Sequence, residues 1–374
     1  MNTKALGERY HRQVILKELG ELGQQKLLSS KVLVIGAGGL GSPVLQYLAA
    51  AGVGTIGIVD GDVVALSNLH RQVLYDTADI GLFKAERAAA RLQQMNPGIA
   101  IIPYVLRLTN NNALDILETY DVIVDASDNF PTRYLVNDAC LLLNKTLVYG
   151  AVSKFEGQLA VFNVLGNSGE RTANYRDLFP VPPKKGEIAN CAEVGVMGVL
   201  PGIIGTLQAG EVIKLITGIG KPLVNQLQTF DFKTNAWFTV AFYPSLETAA
   251  LQTTDRATFI NAVYEQVCTA AECIEITPAD FNKLLSENNI TIVDVREIGE
   301  QPGLNSFEHL QIPLRQLQEC LDTIIGETII TLCQTGKRSR HAALILAGAF
   351  PSKKIYSLAG GLSGYQQSFQ KEQK

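Results

Sequence analysis

The 374-residue chain lacks a dominant charge: 32 Lys and Arg stand against 36 Asp and Glu, a formal net charge of −4, with no polybasic run. Without such a run, nucleic acid is not an expected partner. The stretch MNTKALGERYHRQ holds no apolar h-region, so a secretory signal is not expected. Six cysteines (Cys140, Cys191, Cys268, Cys273, Cys320 and Cys333) show no pairing rhythm. Free thiols in a reducing cytoplasm are the natural reading. Repeats and low-complexity segments are also missing. What is present, 47% hydrophobic and 18% charged residues, suits a globular protein with a sizeable core. At ~150 residues per domain the length allows about two domains.

The chain is organised around residues 31–60. Residues 32–35 are a short apolar run rich in β-branched side chains, the composition of a buried parallel strand. Gly36, Gly38, Gly39 and Gly41 follow, then a helical stretch over 40–51 closed by Gly52. A second apolar run, 55–59, ends in Asp60. Strand, glycine turn, helix, strand and acid make one βαβ unit. The glycines let backbone approach a phosphate, the helix offers unpaired N–H groups and its positive dipole end, and Asp60 is placed to accept from a ribose. Residues 32–59 carry no charge, but seven glycines and Pro43 break them up, which argues against a membrane span. The glycine turn alone fits a nicotinamide dehydrogenase equally well.

In chain order, Glu8–Gln13 precedes a helix through 24–28. Asp62 and the polar loop 66–72 leave the carboxyl edge of the sheet, where doubly wound folds bind ligands. Lys84 opens a helix to Met95, and 99–104 returns as a strand. A strand over 121–125 leads to Asp128 and Asn129, followed by a helix over 132–143; a plain helix cap would use the same two residues. Strands at 147–152 and 155–163 begin an antiparallel extension. Residues 166–190 read as a long loop ending at Cys191, then a helix over 202–216 and strands at 226–230 and 237–242. Pattern weakens over 246–272, the expected linker. A second unit starts at Cys273, with a helix capped at Thr277, a strand at 290–293 followed by Asp294-Val295-Arg296-Glu297, a strand at 328–332, the loop Cys333–Ser339 and a helix over 340–347.

Arg71 and Lys84 supply cations near the glycine turn, Asp128 a carboxylate suited to Mg²⁺, and Asp60 a ribose contact. A dehydrogenase has no need of this set. Cleavage of the α–β linkage of ATP does, because charge shifts onto pyrophosphate in the transition state. The strings Arg9-Tyr10-x-Arg12-Gln13, Gly36-Ala37-Gly38-Gly39-Leu40-Gly41, Asp60-x-Asp62, Ser67-Asn68-Leu69-x-Arg71-Gln72, Gly81-x-x-Lys84 and Asp128-Asn129 resemble the MoeB/ThiF family, bacterial relatives of ubiquitin-activating enzymes.

That resemblance implies adenylation of the C-terminal Gly-Gly of a ubiquitin-like sulfur carrier. It puts Asp60, Asp62, Asn68 and Asn129 with the glycines around ATP, Arg71 and Lys84 on the phosphates, and Asp128 on Mg²⁺. It places Arg12 in the other subunit's site, hence a homodimer, and it matches Cys191 to a family cysteine that accepts an acyl group in some members. Members commonly hold zinc with two C-x-x-C pairs. Here Asn174-Tyr175-Arg176-Asp177 stands in place of the first, and Pro244-Ser245-Leu246-Glu247 offers no second, so zinc is not expected.

Residues 273–374 resemble a rhodanese domain through Asp294-Val295-Arg296-Glu297 and Cys333-Gln334-Thr335-Gly336-Lys337-Arg338-Ser339. Loop N–H groups, a helix N-terminus, Lys337 and Arg338 are expected to favour an anionic sulfur on Cys333. A tyrosine-phosphatase loop would need arginine where Ser339 stands. The expected fold is α/β: a Rossmann-like doubly wound sheet with an antiparallel extension (1–245), a linker (246–272) and a small α/β rhodanese domain (273–374). The expected activity is ATP- and Mg²⁺-dependent adenylation, then sulfur transfer from a persulfide protein or thiosulfate through Cys333, in a molybdopterin, thiamine or related route. A nicotinamide oxidoreductase and a silent docking scaffold are the alternatives.

Overall fold

The computed structural model describes residues 3–166, 169–182, 195–249, 251, 253, 255–264, 274–285, 289–304, 307–350 and 353–372. The chain divides into two units, Met1–Tyr264 and Glu265–Lys374. The first opens with helices α1 (Thr3–Val14) and α2 (Gly20–Ser29). Residues 8–13 are therefore themselves helical, where the sequence suggested a lead-in. Buried Tyr10 docks α1, and its hydroxyl accepts from the Asn96 amide at 2.8 Å.

Next come β1 (Lys31–Ile35), α3 (Gly41–Ala51), β2 (Thr55–Val59), α4 (Lys84–Met95), β3 (Ala100–Tyr104), α5 (Ala113–Leu117), β4 (Val122–Asp125), α6 (Phe130–Leu142), β5 (Thr146–Ser153) and β6 (Glu156–Phe162). Gly52 closes α3 at φ 86°, a left-handed conformation that glycine adopts without a Cβ clash. The one-turn α7 (Tyr175–Leu178) falls inside the stretch read as loop. The long α8 (Val199–Thr217) precedes β7 (Gln226–Asp231) and β8 (Ala236–Ala241).

The sheet order is β3-β2-β1-β4-β5-β6-β7-β8, with parallel pairing from β3 to β5 and antiparallel pairing beyond. Buried strands read as continuous apolar runs because helices cover both faces. One face packs under α3, α4 and α8, with Leu48, Leu92, Ile204 and Val212 in its core; the other packs under α5 and α6, with Leu117, Tyr134 and Ala139. Among the described residues α8 alone is long and apolar enough to cross a membrane, and here it packs along α3, β5 and β6. Cys140, on α6, is fully buried, and that burial pushes its thiol far up from its ordinary value.

Residues 246–264, expected as linker, belong to the first unit. They form α9 (Leu246–Ala249) and α10 (Arg256–Asn261). Phe259 is fully buried in the α6-side core, and the Tyr264 hydroxyl donates to Asp138 at 2.9 Å. Elements of four and six residues carry too few turns for periodicity to register.

The second unit is a five-stranded parallel sheet in the order β11-β10-β12-β13-β9. In chain order it holds β9 (Ile274–Ile276), α11 (Pro278–Leu284), β10 (Ile290–Asp294), β11 (Leu310–Gln311), β12 (Thr328–Leu332), α12 (Lys337–Ala349), β13 (Lys354–Leu358) and α13 (Gly361–Glu372). Thr277 caps α11 by accepting from Asp280 N–H. The helix after the sulfur loop starts earlier than expected: α12 begins at Lys337, not 340, so Lys337, Arg338 and Ser339 form its first turn.

Candidate active sites

In the first unit the parallel strands run outward on both sides of the β1–β4 pair, the switch point where doubly wound sheets leave a crevice beyond their carboxyl ends. A cavity of about 690 Å³ lies there, within the ordinary size of a small-molecule site. Gly36, Gly38, Gly39, Asp60, Asp62, Arg71, Lys84, Asp128 and Asn129 all line it. Gly36 has φ 92°, and a Cβ there would come within 2.8 Å of the Ala126 carbonyl that ends β4. The glycine turn is therefore pressed between two strand ends, which only glycine permits. Gly41, Asn68 and Arg12 do not line the cavity. Gly41 serves the helix start: a Cβ on it would sit 1.9 Å from the Gly36 carbonyl oxygen. Asn68 accepts through its carbonyl from the Arg71 and Gln72 N–H groups, shaping the loop that carries the arginine. Arg12 is exposed on α1.

The cavity walls are cross-tied. Asp60 accepts from Ala37 N–H and Asp62 N–H, each at 2.8 Å, so one carboxylate joins the glycine turn to the end of β2. Burial raises its pKa, and the charge of Lys84 opposes that rise. Lys84 is itself buried and donates to Asp62 at 3.0 Å. Tyr75, which sequence reasoning passed over, donates to the Ala37 carbonyl at 2.8 Å and to the Lys84 carbonyl at 3.3 Å. Its hydroxyl pins the glycine turn to the start of α4, and burial lifts its pKa well above the usual tyrosine range.

Asn129, not Asp128, caps α6: its side chain accepts from Thr132 N–H at 3.0 Å. Asp128 is exposed at the rim, and no described residue engages its carboxylate. Behind it Asp125 is fully buried and accepts from Ser127 N–H at 2.9 Å. Gln72 also lines the cavity, and its buried side-chain oxygen has no hydrogen-bond donor among the described residues. Glycine cradle, two cations, an exposed carboxylate and an orphan acceptor fit a nucleoside triphosphate with its divalent cation.

Cys191 and its neighbours 190–194 lie outside the described residues, as do Cys268 and Cys273. The positions weighed for zinc are occupied by a hydrogen-bonded clasp. Asp177 accepts from the Asn174 N–H at 2.8 Å, the Asn174 amide at 2.6 Å, the Ser245 N–H at 3.0 Å and the Thr248 hydroxyl.

In the second unit Cys333 follows β12 and has no exposed surface. Ser339 N–H donates to its sulfur at 3.3 Å, and the Ser339 hydroxyl stands 3.6 Å away. Burial alone would raise the thiol, but the Ser339 hydroxyl and the N–H groups of Ser339, Thr335 and Gly336 together hold it below its ordinary value. Among the described residues these donors are dipoles, not side-chain cations. Arg338, expected to favour an anionic sulfur, forms a two-point pair with Glu300 at 2.6 and 2.8 Å. Glu300 was missed because it stands outside both recognised strings, three residues past Glu297. The buried Asp294–Arg296 pair, with an N–O distance of 2.7 Å, braces this region, and Arg296 also donates to the Pro302 carbonyl at 2.8 Å.

Residues 10–248 match the ThiF family, and residues 277–368 match the rhodanese-like domain. The chain belongs to the ThiF family. It is 56% identical, over 61% of its length and 84% of the relative's, to a sulfur carrier protein adenylyltransferase of Thermus thermophilus. A probable adenylyltransferase/sulfurtransferase MoeZ of Mycobacterium tuberculosis is 40% identical over 97% of this chain and 93% of its own. The adenylyltransferase and sulfurtransferase MOCS3 of Aedes aegypti is 37% identical over 97% and 87%. Escherichia coli MccB, crystallised with ATP, shares the fold at a TM-score of 0.56 and 24% identity, covering 64% of this ThiF-family chain and 72% of its own. The relatives spanning nearly the whole chain are named for both activities, and the two sites supply both chemistries: this protein is an adenylyltransferase and sulfurtransferase. The nicotinamide and scaffold readings fall away.

Proposed function

We propose that the protein adenylates the C-terminal Gly-Gly carboxylate of a ubiquitin-like sulfur carrier and converts it to a thiocarboxylate with sulfur held on Cys333. The observation that carries the first half is one cavity lined by the glycine turn, Arg71, Lys84 and Asp128. The carrier carboxylate attacks the α-phosphate of ATP, giving acyl-AMP and pyrophosphate. Arg71 and Lys84 take up the charge that develops on the leaving group, worth on the order of 10²–10³ in rate per group. Asp60 holds the ribose, and Asp128 would hold Mg²⁺, which offsets phosphate charge when bound. Lys84 has to leave Asp62 for this, an exchange of one anion for another at low cost because Asp62 is exposed.

The outer sulfur of the Cys333 persulfide attacks the acyl carbon, on the adenylate itself or after the acyl group has passed to Cys191, and AMP or the Cys191 thiolate leaves. A thiol, Cys191 or an external one, then attacks the Cys333 sulfur of the resulting acyl disulfide; the S–S bond breaks toward the carrier thiocarboxylate, and the new disulfide on Cys333 is reopened by a reducing thiol. Arg12 serves the neighbouring subunit's nucleotide in a homodimer, the protein works in the cytoplasm without structural zinc, and the thiocarboxylate feeds a molybdopterin, thiamine or related route. Support for the carrier is the name of the Thermus relative, and support for the sulfur step is the dipole-stabilised thiolate of Cys333.

The test is exchange of labelled pyrophosphate into ATP with Mg²⁺ and a matching carrier. Asp128→Ala should abolish it, and undiminished exchange would remove Asp128 from the metal. Cys333→Ala should keep exchange while losing all sulfur transfer.

A further inference from the structure

We propose that the Glu300–Arg338 pair selects the sulfur donor, disfavouring the thiosulfate dianion and leaving the loop to persulfides. The inference rests on the sulfur-transfer reading of Cys333 and adds to it the class of donor.

Both guanidinium nitrogens of the Arg338 fork are committed to one carboxylate, at 2.6 and 2.8 Å. Both partners are partly exposed, and each is anchored. Arg338 stands in the first turn of the 13-residue α12, and Glu300 receives the Glu297 N–H at 3.2 Å. The segment carrying Glu300 is fastened by Arg296, whose own charge is buried against Asp294. Arg338 immediately precedes Ser339, whose N–H donates to the Cys333 sulfur at 3.3 Å, so its side chain leaves the same turn that holds the thiolate. Its fork geometry suits an oxyanion, and the carboxylate of Glu300 already occupies that role.

The two donor classes differ in the charge that departs. From thiosulfate, the Cys333 thiolate takes the outer sulfur; the S–S bond breaks, its electron pair leaves with sulfite, and Cys333–S–S⁻ remains. Two negative charges then depart beside a loop whose arginine is already paired with a carboxylate. From a persulfide R–S–SH, the same attack forms Cys333–S–SH and releases R–S⁻, and the single departing charge stays with the donor's own surroundings. Neither route needs an oxidant or reductant. A neutralised Arg338 therefore penalises the first far more than the second.

The experiment uses the full-length protein and compares kcat/KM for thiosulfate with that for glutathione persulfide, with cyanide as acceptor. Glu300→Gln keeps the shape but releases the fork, and should raise the thiosulfate-to-persulfide ratio by about tenfold or more. Adding Arg338→Gln should return the ratio to its original value, while Arg338→Gln alone should change it by less than about threefold. A ratio unmoved in Glu300→Gln, with thiolate titration of Cys333 unchanged, would overturn the proposal. So would loss of thiosulfate transfer in Arg338→Gln alone, since the fork would then already be binding the anion. Cys333→Ala distinguishes the underlying reading: persulfide transfer surviving that change would sink the sulfur site itself, whatever Glu300 does.

Discussion

Arg71 Nη1 lies 2.8 Å from His70 Nε2 and donates to the Ser67 carbonyl at 3.1 Å. One guanidinium nitrogen is thus shared between an adjacent imidazole and its own loop, which folds the arginine back along the cavity wall. The Nη1 end of the guanidinium rests on a backbone carbonyl, an acceptor that a phosphate outcompetes.

Arg71→Ala should lower pyrophosphate exchange by on the order of 10²–10³. Arg71→Lys keeps a charge but loses the fork, and should recover only part of that loss. Full recovery by lysine, measured as kcat/KM for ATP, would show that charge alone matters.

The thiolate of Cys333 should persist to lower pH than that of an ordinary cysteine. A lowered thiol pKa means that the reactive anion is present above the shifted value and is lost as pH falls through it. Ser339→Ala removes the hydroxyl and one source of that depression, so the midpoint should move to higher pH. The ultraviolet absorbance of the thiolate, followed against Cys333→Ala, reads this directly; an unmoved midpoint would assign the effect to backbone N–H groups alone.

If Arg12 completes the neighbouring subunit's site, mixed dimers of Arg12→Ala and Asp128→Ala chains should regain about one working site in each heterodimer, measured by pyrophosphate exchange. Failure in verified mixed dimers would confine Arg12 to its own chain or remove it from catalysis.

The Asp177 clasp predicts a stability cost with no metal behind it. Asp177→Ala strands the Asn174 and Ser245 N–H donors and should lower unfolding stability by about 1–3 kcal/mol. Elemental analysis of protein purified without chelator should find far less than one zinc per chain. Stoichiometric zinc would mean that ligands lie elsewhere.

Local pattern carried the nucleotide half far. Lys84–Met95 and Thr55–Val59 are the very residues that the apolar spacing marks, because a buried strand and an amphipathic helix each repeat within a few residues. Contacts between distant positions left no such trace. Glu300 and Arg338 are 38 residues apart, and nothing in either neighbourhood announces the other. Tyr75 reads as one more apolar residue until the fold brings Ala37 and Lys84 to its hydroxyl. The segment 246–264 reads as a tether because Phe259 is the one fully buried large side chain among its described residues. Residues 8–13 carry no helical period of their own because Tyr10 is the one apolar residue among them.

Cys140 and Cys333 are both buried, yet burial has opposite chemical outcomes for them. One thiol sits among hydrocarbon and is pushed far up; the other meets N–H groups and is held down. At neutral pH a thiol reagent should therefore read the two units on separate clocks. Modification of Cys333 reports how often the sulfur loop breathes, while modification of Cys140 requires the α6 layer to come apart. The chain carries its own paired probes, and comparing their rates with and without ATP would show which unit the nucleotide tightens.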